Sequence, residues 1–267
     1  MTDWITTKKV VQLLGVGPTT IKRWAHKGYL PFTRTAGGHR RFSLSAVEHF
    51  MQSLSDSADE SSDTQQWLMW LREKDVHLIC DEVLQLRETR GDWFRVSDFL
   101  GQVLARTGRC WANGEWSVVE EHISSTKLAQ AITAVATSLP IKQPAPTCLL
   151  ATLTGEQRAH GLYLSQLCMR SVGIDALIAG VNVSPERLHV HITDSDDEIL
   201  ALSASTSQTN SLSLRRNYMD IAAACRERDV ALILGGEGAW PDDPDYGYRC
   251  RSFTDLQAVL AKVQYSG

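Results

Sequence analysis

The chain is 267 residues long, 43% hydrophobic and 22% charged, with a formal net charge of −4. This composition excludes a disordered polymer and leaves room for about two or three globular domains. No apolar run approaches the roughly 20 residues that cross a bilayer, and the opening MTDWITTKK lacks a signal-peptide core, so a cytoplasmic protein without membrane contact is expected. The charge is unevenly placed: residues 1–52 carry a net +6 and the remainder a net −10. A basic head on an acidic body is the electrostatic pattern of a nucleic-acid-binding module joined to something that binds no nucleic acid.

In the head, Val10, Val11, Leu13 and Leu14 give an apolar face to a helix from about Thr7 to Leu14, with Thr6 or Thr7 as its N-cap. Gly15 and Gly17 supply a turn. Pro18 then suits the first turn of a second helix, whose Ile21 and Trp24 point inward and leave Thr19, Thr20, Lys22, Arg23 and Lys27 exposed. Two short helices with such a turn predict a helix-turn-helix whose second helix enters the major groove of double-stranded DNA. Gly37-Gly38 permits a hairpin tip, and Arg34, His39, Arg40 and Arg41 cluster around it as a wing for backbone phosphates. A further helix is expected from about Ser45 to Ser53, followed by a Ser/Asp/Glu-rich linker over 53–63 that cannot bury a core.

Residues 64–140 read as helical throughout: one segment through QQWLMWLREKDVHLICDEVLQLRE, then two more, separated by Arg90-Gly91-Asp92 and Asn113-Gly114. A small bundle is the simplest outcome. Residues 146–267 change to alternating strands and helices: CLLATL, a helix from about Glu156, ALIAGVNV, ALSAST, a helix from about Ser213, ALILGG, and a last helix near Thr254 to Val263. That alternation predicts a Rossmann-like, doubly wound parallel sheet with a ligand crevice at the strand carboxyl ends. Six scattered cysteines without a C-x-x-C pair read as buried thiols, not as a zinc site or disulfide framework. No nucleophile–base pair or paired acid/base carboxylates can be assigned, so catalysis is not expected.

The head, with its GGHRR wing, resembles the MerR family and its excisionase-like relatives. It lacks the long dimerising coiled coil that many of those proteins have after the head, so oligomerisation falls to the downstream domains. The order of head, bundle and Rossmann-type domain resembles the cobalamin-dependent light-sensing repressors of the CarH, CarA and LitR group. Trp111, nine intervening residues and Glu121-His122 match the W-x9-EH signature that in that group caps the upper face of adenosylcobalamin. Glu156, Arg158 and Gly161 fall on its E-x-H-x-x-G loop, and Ser203 with Gly235-Gly236 on the elements that accept the cofactor's nucleotide tail.

Three positions depart from the pattern, the last being the Ser element, which reads Ser203-Ala204-Ser205 where leucine would be expected at the third place. Arg158 stands where the cobalt-ligating histidine belongs, and a guanidinium has only donors. Ala112 stands where light-sensing members have a second histidine, and His160 lies two positions beyond Arg158 as a substitute ligand. The resemblance therefore implies a DNA-binding regulator, a repressor by analogy, whose body takes cobalamin or another tetrapyrrole (heme or bilin) without conventional His–cobalt ligation. Light or ligand would then control a homo-oligomer, dimer or tetramer, on the operator. Two other readings stay open: a cofactor-free body used for oligomerisation or partner docking, and a cobalamin methyltransferase or mutase, for which the chain supplies no substrate barrel.

Overall fold

The computed structural model describes residues 4–14, 17–26, 30–35, 37–44, 46–47, 50, 62–205 and 211–264. The chain divides into two compact units, Met1–Gln65 and Gln66–Gly267.

In the first unit, β1 (Trp4–Thr6) leads into α1 (Thr7–Leu14) and α2 (Pro18–His26), and β2 (Phe32–Arg34) and β3 (Arg40–Ser43) form the wing hairpin. Thr6 caps α1 by accepting the Lys9 N–H at 3.2 Å, and the Gly17 carbonyl accepts the Thr20 and Ile21 N–H groups to start α2. The apolar residues of both helices meet the sheet: Val10, Ile21, Trp24, Leu30, Phe42 and Val47 form a small core. β1 has no counterpart in the sequence reading. It pairs antiparallel with β3, giving the order β1-β3-β2. Its central residue Ile5 pairs with Phe42, which pairs with Phe32, so these three share the inner face. The expected helix over 45–53 lies largely outside the described residues, as does most of the 53–63 linker.

The second unit begins with four helices, α3 (Ser62–Glu73), α4 (Val76–Arg90), α5 (Trp93–Asn113) and α6 (Val118–Ser138). The segment expected to be one helix from Gln65 is two, because Asp75 adopts an extended backbone and its carboxylate accepts the Leu78 N–H at 3.0 Å, capping α4. The carbonyls orphaned at the end of α3 receive the Lys127 ammonium, which donates to Leu71, Arg72 and Lys74. Gly91 and Gly114 close α4 and α5 where expected, and Ser117 with Glu120 forms a capping box on α6.

β4 (Thr147–Leu153), β5 (Asp175–Val183), β6 (Ile199–Ser203), β7 (Ala231–Gly235) and β8 (Tyr248–Arg249) form a parallel sheet of order β5-β4-β6-β7-β8. The crossovers are α7 (His160–Ser171), α8 (Pro185–Asp194) and α9 (Ser211–Glu227), and α10 (Phe253–Gln264) follows β8. The helix expected from Glu156 starts four residues later, because residues 154–158 bond as a loop. α8 was not foreseen, although Ser184-Pro185 is a sound start signal: Ser184 accepts the Arg187 N–H and Pro185 needs no donor there.

Strand residues alternate between the two faces. Cys148, Leu150, Ile199, Ala201 and Ile233 face α7 and α10, while Leu149, Ala151, Leu200, Leu202, Leu232 and Leu234 face α8 and α9. The ladder between β4 and β5 shifts register twice, between Leu150 and Ala151 and again between Ala151 and Leu153.

α7 is buried on both sides. Its Leu162, Cys168 and Met169 join the sheet-face core, and its Leu164 and Leu167 complete the bundle core around Trp67, Phe99 and Leu128. Two charged side chains fasten the halves. Asp98 of α5 accepts the Phe253 N–H (2.7 Å), the Thr254 N–H (3.2 Å) and the Thr254 hydroxyl (2.7 Å), capping α10. Arg170 of α7 donates to the Ala136 and Leu139 carbonyls at the end of α6 while pairing with Asp175 at 3.0 Å. Each charge is opposite in sign to the helix end it meets. None of the six cysteines is in a disulfide and five are buried, and no helix among the described residues is long and apolar enough to cross a membrane.

Asp98→Ala should lower stability by about 2 kcal/mol, since it strands the first donors of α10. A urea melt followed by circular dichroism reads this as a lower midpoint.

Candidate functional site

β4 connects outward to β5 on one side of the sheet, and the chain then returns to β6 on the other. The carboxyl ends of β4 and β6 therefore splay their following loops apart, which leaves a crevice. A cavity of about 540 Å³ opens there, and α5 covers it. Its floor is apolar, with Leu150, Met169, Ile233 and Leu256; its roof brings Gly101, Gln102 and Ala105 from α5; its mouth holds Glu156, Arg158, His160, Ser203 and Ser205.

The loop after β4 is fixed by its own bonds. Gly155 donates its N–H to the Asn182 side chain at 2.8 Å, the Asn182 N–H donates to the Glu156 carbonyl and the Thr152 hydroxyl, and that hydroxyl donates to the Glu156 carbonyl. The second register shift of β5 aims Asn182 at this loop, a use of irregular pairing common beside functional sites. The Glu156 carboxylate, in a residue only 2% exposed, accepts the Arg158 N–H at 2.9 Å and the Ser205 N–H at 2.8 Å, and also the Ser205 hydroxyl. Burial pushes its pKa up, but the hydrogen bonds from Ser205 and Arg158, helped by the Arg158 guanidinium, outweigh burial and hold it below the ordinary value. Burial lowers the pKa of His160 against the opposing pull of Glu121, so the imidazole stays neutral near pH 7.

The glycines at the mouth answer to close neighbours, backbone in one case and a side chain in the other. A Cβ on Gly236, whose φ is +82°, would sit 2.3 Å from the Ala204 carbonyl oxygen, and one on Gly161 would sit 2.6 Å from Ser203 Oγ. The loops after β6 and β7 are laced directly together: Ala204 donates to the Gly235 carbonyl, Gly238 donates to the Ala204 carbonyl, and the Trp240 indole donates to Gly235 at 2.9 Å.

The structure thus brings Arg158, His160, Gly161, Ser203, Gly235 and Gly236 to one cavity. Trp111, Glu121 and His122 do not line it. Trp111 is 43% exposed, and His122 turns its Nδ1 back to the Val118 carbonyl of its own helix at 2.8 Å, 3.1 Å from a Glu121 oxygen. Only the charge of Glu121 reaches the site, through His160. The loop position of the expected ligand does not fit a histidine-ligated corrinoid, since Arg158 cannot ligate; Glu156 is held by Ser205 and His122 is bonded to its own helix, which leaves His160 as the imidazole among the described residues on the wall. No group of three His, Cys, Asp or Glu side chains among the described residues is placed to hold a metal ion. The sequence reading missed Asp98, Gly101, Gln102 and Ala105, and met Ser205 only as a departure from the motif; an isolated Gly101 inside a strong helical pattern was the available signal.

In the head, Thr19 and Lys22 are exposed on α2 and Thr20 is half-buried, Arg23 lies on α2, and Lys27 falls outside the described residues. The wing cations do not form one patch. Arg34 and Arg40 pair across the hairpin and both approach the Phe32 ring, at 6.0 and 4.9 Å, whereas Arg41 pairs with Thr6 and Thr33 on the outer face, and His39 is exposed at the tip. Alternation along β3 separates Arg40 from Arg41.

Residues 4–55 match the family model described as a helix-turn-helix domain. The monomethylamine corrinoid protein of Methanosarcina barkeri is 14% identical, with 74% of this chain and 96% of that chain covered and a TM-score of 0.52. A cobalamin-binding protein from Desulfitobacterium hafniense DCB-2 is 15% identical over 76% and 99% of the two chains, with a TM-score of 0.37. The methanol:cobalamin methyltransferase complex MtaBC of Methanosarcina barkeri is 14% identical over 84% and 93%, at 0.40. No curated protein sequence matches the chain. The chain is therefore a helix-turn-helix head followed by a helical bundle and a five-stranded parallel sheet of the fold seen in the corrinoid protein.

A carboxylate with a depressed folded-state pKa contributes stability that is complete above its ordinary value and is lost as pH falls through the folded value. Glu156→Gln should accordingly lose less stability than the parent chain between about pH 6 and about pH 3. Urea melts at each pH measure the difference, and equal losses in the two proteins would contradict the role given to this carboxylate.

Proposed function

We propose that the protein is a DNA-binding transcriptional regulator and not an enzyme: the head binds an operator, and a ligand held in the body changes how copies assemble on it. One observation carries this reading. A helix-turn-helix with an exposed Lys22 and a half-buried Arg41 shares a chain with a cavity at a sheet switch point that has an apolar floor and a polar mouth. A single recognition helix makes few base contacts, so specific affinity gains from a second head tied to the first, by about 10²–10⁴-fold in effective concentration. Assembly is then the quantity a ligand can switch, with repression as the outcome when the occupied site overlaps a promoter. A tetrapyrrole held without axial histidine is the chromophore version of this reading, and light would be its signal.

A second reading, in which the body serves only for assembly or partner docking, is favoured by the loops at the mouth, whose polar groups bond one another: Glu156 with Ser205, and Ala204 with Gly235 and Gly238.

Operators selected from random duplexes test the head. Lys22→Ala and Arg41→Ala should each weaken binding by about 1–3 kcal/mol and flatten its salt dependence, with the body's unfolding unchanged. Unchanged affinity in both variants would overturn the assignment. Sedimentation velocity should find two or more copies per operator, and a lone monomer on DNA would rule out control by assembly.

A further inference from the structure

Resting on the ligand-gated reading above, we infer that the body's cavity selects a compact amphipathic anion, an apolar body carrying one carboxylate, sulfonate or phosphate oxyanion, with Arg158 as its counter-charge. The other charged groups on the wall are engaged within the protein. Asp98 spends both carboxylate oxygens on the start of α10, and Glu156 spends its oxygens on Ser205 and the Arg158 N–H. Glu237 stands at the rim, where its charge supports the Arg249 guanidinium, and Arg251 pairs with Asp242. Among the described residues of the wall, Arg251 already carries the Asp242 carboxylate, whereas the Arg158 guanidinium donates to no protein group. Its planar fork suits a two-oxygen group, and the Ser203 hydroxyl and neutral His160 beside it add hydrogen-bonding capacity without a competing charge.

Behind this mouth the wall is aliphatic, from Leu150, Met169, Ile233 and Leu256, and the volume of about 540 Å³ lies in the range of small-molecule pockets. Gly101 sets the height of the roof, since a Cβ there would only just reach Leu164 and Phe253, at 4.0 Å each. Any larger side chain at that position must occupy the cavity. The same arginine that removes a metal ligand from the loop thus supplies an anion site, and the slot beneath it receives an apolar body.

The test uses two fluorescent probes of the same aromatic frame: 8-anilinonaphthalene-1-sulfonate, which carries the oxyanion, and neutral N-phenyl-1-naphthylamine. Titrated into the full chain, the sulfonate should bind at least about tenfold more tightly than the amine. Arg158→Gln should erase that preference while keeping the amine's affinity, and Gly101→Leu should abolish saturable binding of both. Ala105→Phe, from the same roof, serves if Gly101→Leu does not fold. Equal affinities in the parent chain, or a sulfonate preference that survives Arg158→Gln, would overturn the anion assignment and leave the cavity in place. Undiminished binding of both probes in the folded roof variant would instead overturn the cavity as the ligand site.

Discussion

The body depends on the double burial of α7. One face of this helix is a wall of the sheet and the other is a wall of the bundle, so neither half can complete its core without it. Exclusion of water from both faces is the main driving term, and polar contacts then set the register. Ser97 and Cys168 meet at 3.2 Å in the buried seam, Asp98 reaches forward to the start of α10, and Arg170 reaches back to the end of α6. These groups cannot be satisfied if the bundle slides by one helical turn, so the space between α5 and the strand ends has a fixed width. The cavity is a product of that width and of the missing side chain at Gly101.

The chemistry of the mouth follows from rigidity of a different kind. The loops after β4, β6 and β7 bond to one another before any ligand arrives, through Asn182, Glu156, Ser205 and the backbone of Ala204 and Gly238. A ligand entering such a site loses little affinity to ordering the protein. It also gains little leverage over these loops, since they already hold their bonded arrangement.

The fold was largely legible from the sequence, because period-3.6 helices and short apolar strands with turn signals survive without tertiary information. The elements that escaped depended on pairing or on one local bond. β1 is three residues with no pattern of its own, and it exists because Ile5 can join Phe42 and Phe32. The break at Asp75 is a cap that a helical pattern running through it conceals. At the site, Arg158, Gly161, Ser203 and Gly236 were found from motif spacing, but spacing could not tell that Gly161 answers to the Ser203 side chain and Gly236 to the Ala204 backbone. It also could not place Trp111 and His122 off the cavity wall, because a helical surface residue and a site residue share the same periodicity. The contribution of α5 was out of reach, since contacts between Asp98 and Phe253 join residues 155 positions apart.

β5 is the outermost strand on one side of the sheet, nine residues long, with Asp175 as its only charge and with Leu177 60% exposed. A straight strand of that composition would offer a free row of N–H and C=O groups to any passing chain, the starting geometry of edge-to-edge aggregation. The two shifts of register that bring Asn182 to the mouth also bend the far half of the strand out of a regular ladder, with Gly180 and Asn182 both at positive φ. The irregularity that organises the ligand loop is thus also a solubility device: a substitution that straightened β5 would cost the protein its protection against self-association as well as its site.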